Sequence, residues 1–193
     1  MFPSQYEKER DLILSRFIPM MSCKSVLADI GCASGHWAHE VSKYCLKVDG
    51  YDYSDSLIKT AKERYENSNT HFYKLDIRSD NIINQYDGIM LFGVLMYIFD
   101  DETMFQVLDK VRNALKEGGI LVTKDTLNVT EGTDLFSYNP ITGYSGRYMN
   151  QNNYCRFFIK AGFTLLDDSL LMMRTIDEYG RAFISRGALW KVV

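Results

Sequence analysis

One stretch, Val26-Leu27-Ala28-Asp29-Ile30-Gly31-Cys32-Ala33-Ser34-Gly35-His36-Trp37, constrains this chain more than any other. Val26 to Ile30 has the apolar content of a buried strand, and Trp37 to Tyr44 the spacing of an amphipathic helix. Small, turn-forming residues lie between them. A strand that passes through a glycine turn into a helix is suited to a nucleotide-like ligand. The turn exposes backbone N–H groups, and Gly31 and Gly35 have no side chain to hold a ligand away. Many tight turns look like this, so the rest of the chain decides whether the turn is a site.

The next acids favour a site. Asp52 ends a second strand about 20 residues past the first glycine, where a carboxylate accepts hydrogen bonds from ribose hydroxyls. Tyr73-Lys74-Leu75-Asp76-Ile77 ends a third strand with another acid. Tyr86 to Phe92 is nearly unbroken in apolar residues, as in a central parallel strand covered on both faces. With these acids behind it, Asp29-x-Gly31-x-Ala33-x-Gly35 resembles the first motif of the class I S-adenosylmethionine (SAM)-dependent methyltransferases. The resemblance runs from roughly Ser22 to Lys124 and departs at Ala33, where glycine is usual.

The resemblance implies an α/β fold: a three-layer sandwich, a mostly parallel seven-stranded sheet with a C-terminal antiparallel strand pair, and helices on both faces. Residues 1–193 would form a single domain. The implied cofactor is SAM, held by Asp29, Gly31, Ala33, Gly35, Asp52, Tyr53, Asp76, Ile77, Phe92 and Gly93. In that arrangement Tyr53 packs on the adenine or ribose, Asp76 accepts from the adenine amino group, and Ile77 donates its N–H to the ring. The backbone at Phe92 and Gly93 passes the methionine half. A first helix over Ser4 to Met20 would serve as a lid, with Tyr6 reaching the acceptor.

Composition narrows the acceptor. A net charge of −3 gives no broad attraction to nucleic acid, so a nucleic-acid substrate is disfavoured. Cys23, Cys32, Cys45 and Cys155 show no C-x-x-C spacing, which disfavours zinc, and no secretory signal favours disulfides. No apolar run is long enough to span a membrane, so a cytoplasmic location is expected. Asp100, Asp101 and Glu102 precede a helix through Met104, Val107, Leu108, Val111 and Leu115, so they read as its N-terminus and no metal is expected.

Glu117-Gly118-Gly119 reads as that helix's glycine cap, and Ile120 to Thr123 as strand five. Lys124 and Asp125 then stand at the strand's carboxyl end, where open α/β sheets bind ligands. They are candidates for acid/base work with Tyr97, or form a local ion pair. Residues 127–150 read as an irregular acceptor loop carrying Tyr144, Arg147 and Tyr148, in which Arg147 could fork onto a carboxylate or phosphate. A helix over Asn150 to Ala161 and strands over Phe163 to Met172 and Arg181 to Trp190 follow, joined through Thr175 to Gly180.

The expected activity is SAM-dependent methylation of a small polar metabolite, anionic if Arg147 contacts it, with O-methylation ahead of N-methylation. A non-catalytic SAM-binding module or partner subunit is the alternative. An NAD-binding oxidoreductase and a protein or RNA methyltransferase stand behind it. The oligomeric state is left open.

Overall fold

The computed structural model describes residues 3–130, 132–177 and 181–192. Helix α1 (Pro3–Phe17) leads through a short 3-10 turn to strand β1 (Val26–Ile30). Then come α2 (His36–Ser42), β2 (Lys47–Asp52), α3 (Asp55–Tyr65), β3 (Thr70–Lys74) and β4 (Tyr86–Phe92). The second half holds α4 (Asp101–Ala114), β5 (Leu115–Asn128), β6 (Leu135–Tyr138), β7 (Ser145–Tyr148), α5 (Gln151–Lys160), β8 (Phe163–Ile176) and β9 (Ala182–Val192).

Seven strands form one sheet in the order β3-β2-β1-β4-β5-β9-β8, and β9 runs antiparallel to both of its neighbours. Alternation along the central strands fixes the layers. Leu27, Met90 and Val122 pack with Ile13 and Phe17 of α1, Ala38 and Val41 of α2, and Ile58 and Ala61 of α3. Ala28, Ile30, Ile89 and Leu91 pack on the other face with Met104, Val107 and Leu108 of α4 and Phe157 and Phe158 of α5. Both faces are covered, which is why these strands are apolar almost throughout. No helix among the described residues is long and apolar enough to cross a membrane.

Three local expectations are corrected. First, α4 stops at Ala114, and Leu115 is already extended. The chain pairs with β4 at Tyr86 and Leu115, slips, and resumes at Gly88 and Ile120. Gly118, at φ +75°, lies in that slip, so the Glu117-Gly118-Gly119 stretch serves a bulge and not a helix cap. Second, β5 runs on to Asn128 against β9, so Lys124 and Asp125 lie inside a strand and not at its end. Third, the expected irregular loop holds a hairpin in which Leu135 pairs with Tyr148 and Tyr138 with Ser145. Asn139 builds its turn: its side chain accepts the N–H groups of Ile141 and Thr142. Of the Thr175 to Gly180 connection, residues 178–180 lie outside the described residues.

The topology opens a crevice. The chain builds β2 and β3 on one side of β1, then crosses to β4 on the other. Connections leaving β1 and β4 diverge there, and ligands of open α/β sheets bind at such a switch point.

Candidate functional site

A cavity of about 640 Å³ occupies this crevice, within the usual small-molecule range of roughly 300–1,000 Å³. Gly31 and Ala33 bound it at the end of β1. Gly31 sits at φ +75°, and a Cβ there would stand 2.3 Å from Val94 Cγ2. Conformation and crowding both require glycine. Ala33 takes φ +48° despite its methyl group, a conformation that costs an L-residue about 1–2 kcal/mol.

The donors of this turn are already committed. Gly31 and Cys32 donate their N–H groups to the Tyr51 carbonyl at 2.7 and 2.9 Å, and Gly35 donates to Cys32 at 2.8 Å. Ala33 donates to Asp52 Oδ2 at 2.9 Å. These four N–H groups therefore do not cradle a ligand as the sequence suggested. A dinucleotide's pyrophosphate depends on such donors, so their loss counts against the NAD reading.

Asp29 and Gly35 lie behind the turn and do not bound the cavity. The buried Asp29 carboxylate faces the backbone of α2 at Ala38, and its Oδ2 has no hydrogen-bond partner. Burial pushes its pKa up to about 7, with the nearby Asp52 adding to the shift. A Cβ at Gly35 would stand 2.7 Å from the Phe72 ring. Both residues shape the turn and stand off the cavity wall.

The end of the cavity under β2 and β3 carries the charge. Asp52 Oδ1 accepts the Ser54 N–H at 2.9 Å, and each carboxylate oxygen retains a further lone pair. Tyr53, Leu57, Leu75 and Ile77 make an apolar wall suited to a flat base. Asp76 is gripped by Arg78, whose Nε and terminal nitrogen donate at 2.9 and 2.7 Å. That hydrogen bonding holds the Asp76 carboxyl below its ordinary range. The chain turns after Asp76, with Ser79 and Asp80 both donating to the Asp76 carbonyl. Phe92 and Gly93 bound the cavity's middle. Gly93 has φ +67° with open space around it, so conformation alone demands glycine there.

The other end is aromatic. Tyr97 and Phe99 face the hairpin tip, Gly143 to Ser145, across the cavity. The Tyr97 and Tyr144 rings stand 6.2 Å apart at 80°. The Tyr144 hydroxyl pairs with that of Tyr148 at 3.1 Å. A Cβ at Gly146 would come within 2.9 Å of the Tyr144 hydroxyl, so this glycine makes room for it. Tyr148 lies outside the cavity, against Phe183.

Several expected contacts are not brought to the cavity. Lys124 pairs with Glu9 of α1 at 3.0 Å, and the Tyr154 hydroxyl donates to Asp125 at 2.7 Å. Tyr6 packs on His36 and Trp37, 4.9 and 5.9 Å between ring centres. Arg147 is 5 % exposed and meets Asp101 and Asp134, each at 2.6 Å. Of the three candidate acid/base residues, only Tyr97 remains at the cavity. Asp100 caps α4 through the Thr103 N–H at 2.8 Å. Among the described residues no three His, Cys, Asp or Glu side chains form a metal-binding group. The sequence reading named Tyr144, which does line the cavity, but missed Arg78, Phe99 and the hairpin that presents Tyr144 between Gly143 and Ser145. Its usable signal for the tip was Asn139-Pro140 followed by Gly143, a turn composition.

The two interior carboxyls have a consequence in solution. Burial pushes the Asp125 pKa up to about 7, opposed by the Tyr154 hydrogen bond. A raised acid holds its proton in the native state where the unfolded chain has lost it. Its contribution is fully present below about pH 4 and is lost as pH rises through about 7. Asp125→Asn keeps an acceptor for Tyr154 and removes one of two such slopes. Urea unfolding across this window is expected to show a pH dependence flatter by up to about 1.4 kcal/mol per pH unit. An unchanged slope would contradict the assignment.

With this geometry in view, the relatives can be placed. The methyltransferase domain family matches residues 28–121. That match takes in just under half of the chain, and the fold around it is that of SAM-dependent methyltransferases. Protein 235L of Invertebrate iridescent virus 6, which bears a methyltransferase designation, is 33 % identical over 106 residues. That match covers 54 % of this chain and 38 % of the viral protein, so the chain spans well under half of that relative. The N-methyltransferase NodS of Bradyrhizobium japonicum WM9, solved with S-adenosylhomocysteine (SAH), superposes with TM-score 0.70 at 16 % identity. The alignment covers 98 % of this chain and 88 % of NodS. The 1,6-didemethyltoxoflavin-N1-methyltransferase of Burkholderia thailandensis gives 0.72 at 14 %, covering 100 % and 80 %. At those identities the two structures share the fold of the domain with this chain.

Proposed function

We propose that this domain binds SAM in the crevice cavity and transfers its methyl group to a small-molecule acceptor. The observation that carries the reading is the cavity's division, with Asp52 and Asp76 at one end and a tyrosine wall at the other. When bound, SAM supplies a methyl group on a sulfonium, which needs no further activation as a leaving group.

This chain's residues then position and exclude. Asp52 accepts from ribose hydroxyls with the lone pairs that the turn leaves over. Tyr53, Leu75 and Ile77 enclose the base, and Asp76 accepts from its amino group while Arg78 holds the carboxylate in place. Gly31, Ala33 and Gly93 let the backbone approach the remainder. Tyr97, Phe99 and the hairpin tip line up an acceptor and keep water out, and alignment of this kind supplies about 7–11 kcal/mol in favourable cases. Arg147 is committed to a buried pair with Asp134 and to Asp101 at the surface, so it does not support an anionic acceptor.

The test uses methyl-labelled SAM with purified protein and a cell extract split by size. Label is expected in the small-molecule fraction. Label on protein or RNA overturns the acceptor class. Binding of SAM without transfer would leave the non-catalytic module. Saturation at about 100 times Kd should also raise stability by about 2.7 kcal/mol with SAM or SAH and not with NAD.

A further inference from the structure

The cavity is polarised. Its acidic and basic side chains, Asp52, Asp76 and Arg78, all lie at or just past the ends of β2 and β3. Past Gly93 the described wall holds Tyr97, Phe99 and Tyr144 with aliphatic and small residues, and no carboxylate, imidazole or amine among them. Outside it, Asp101 is paired with Arg147, Asp125 with Tyr154 and Lys124 with Glu9. Burial raises the Tyr97 and Tyr144 phenols, so neither is a ready base. What the wall offers is ring surface. Aromatic faces attract positive charge through their quadrupoles.

We propose that this wall is a subsite for an amine or ring nitrogen on a flat, uncharged body, methylated on nitrogen without a protein base. The inference rests on the methyltransferase reading above. The nitrogen lone pair forms the new N–C bond as the C–S bond breaks, and that bond's electron pair stays on sulfur. Positive charge passes from sulfur to nitrogen within reach of the Tyr97 and Tyr144 rings. A proton on that nitrogen leaves afterwards to solvent. A hydroxyl acceptor must lose its proton as it attacks, and the described wall holds no carboxylate or imidazole to take it. This reverses the order expected from sequence, which put O-methylation first.

The test identifies the labelled product of the small-molecule fraction by mass spectrometry and NMR. Methyl on nitrogen supports the inference. Methyl on oxygen, sulfur or carbon overturns it while leaving the methyltransferase reading intact, and no transfer to any fraction overturns both. A second measurement concerns the ring. Tyr97→Leu is expected to lower kcat/KM about tenfold with SAH affinity unchanged, and Tyr97→Phe to recover most of the loss. Equal loss in both variants would show that the hydroxyl does proton chemistry and would overturn the inference. In the wild type, kcat/KM is expected to rise with pH through the acceptor's own pKa, measured on the purified acceptor, and an added limb from an enzyme base would overturn it as well.

Discussion

Asp52→Asn is expected to weaken SAH binding about 100-fold while the protein remains folded. Two backbone donors converge on this carboxylate, Ala33 from the glycine turn and Ser54 from the cap of α3, each at 2.9 Å. Both oxygens are thus fixed in position and each has capacity left for a ribose hydroxyl. An asparagine brings one oxygen and one NH₂. The NH₂ faces a backbone N–H, so one donor is stranded at a cost of about 1–3 kcal/mol. The ribose also loses a charged acceptor, a bond of about 1.5–3 kcal/mol. The second of these falls on binding, and at about 1.4 kcal/mol per decade the upper end is two decades. Calorimetry with SAH and urea unfolding separate the two losses. A variant that is less stable but binds SAH within threefold of wild type would make Asp52 a brace for the turn and no ligand contact.

The same residues show why the β1 turn and the acids after β2 and β3 could be read from sequence. Each lies at or just past the end of a strand, and strand ends at a switch point face the crevice whatever the rest of the chain does. The apolar runs at Val26 to Ile30 and Tyr86 to Phe92 gave the central strands for the same local reason. The errors arose where distant pairing overrides local composition. Lys124 and Asp125 look like the end of a strand, yet β9 pairs with β5 as far as Asn128 and carries them inside. Lys124 then meets a partner on α1, far away in the sequence. Asp29 illustrates a different limit. It belongs to the recognised motif, but its carboxylate is turned inward to Ala38, and motif membership does not distinguish holding the turn from holding the ligand.

Arg147 is the largest such reversal, and it leads to the second strong expectation: Arg147→Ala should destabilise the domain by about 3–5 kcal/mol. The guanidinium donates through Nε to Asp134 at 2.8 Å and meets Asp101 at 2.6 Å, with the Phe136 and Phe157 rings 5.7 and 5.4 Å from its centre. It thereby ties β7 to the start of α4 and to the chain before β6. Asp134 also accepts from the Asn150 N–H and from Asn153 Nδ2, at 2.9 and 3.0 Å. Removing the arginine leaves this interior carboxylate without its cation. For a chain of this length the loss corresponds to a Tm lower by roughly 10 °C, measured by calorimetry. The hairpin tip carries Tyr144, so acceptor KM should rise as well, while SAH affinity, proposed above to lie with Asp52 and Asp76 at the opposite end of the cavity, should hold. Adding Asp134→Asn to Arg147→Met removes the stranded charge and fills part of the space, and is expected to recover about half of the lost stability. The sequence reading, with Arg147 on the acceptor itself, shares the forecast of a higher acceptor KM with cofactor binding nearly unchanged, so stability separates the two. An Arg147→Ala variant that unfolds within about 1 kcal/mol of wild type would restore that reading and return the arginine to the acceptor.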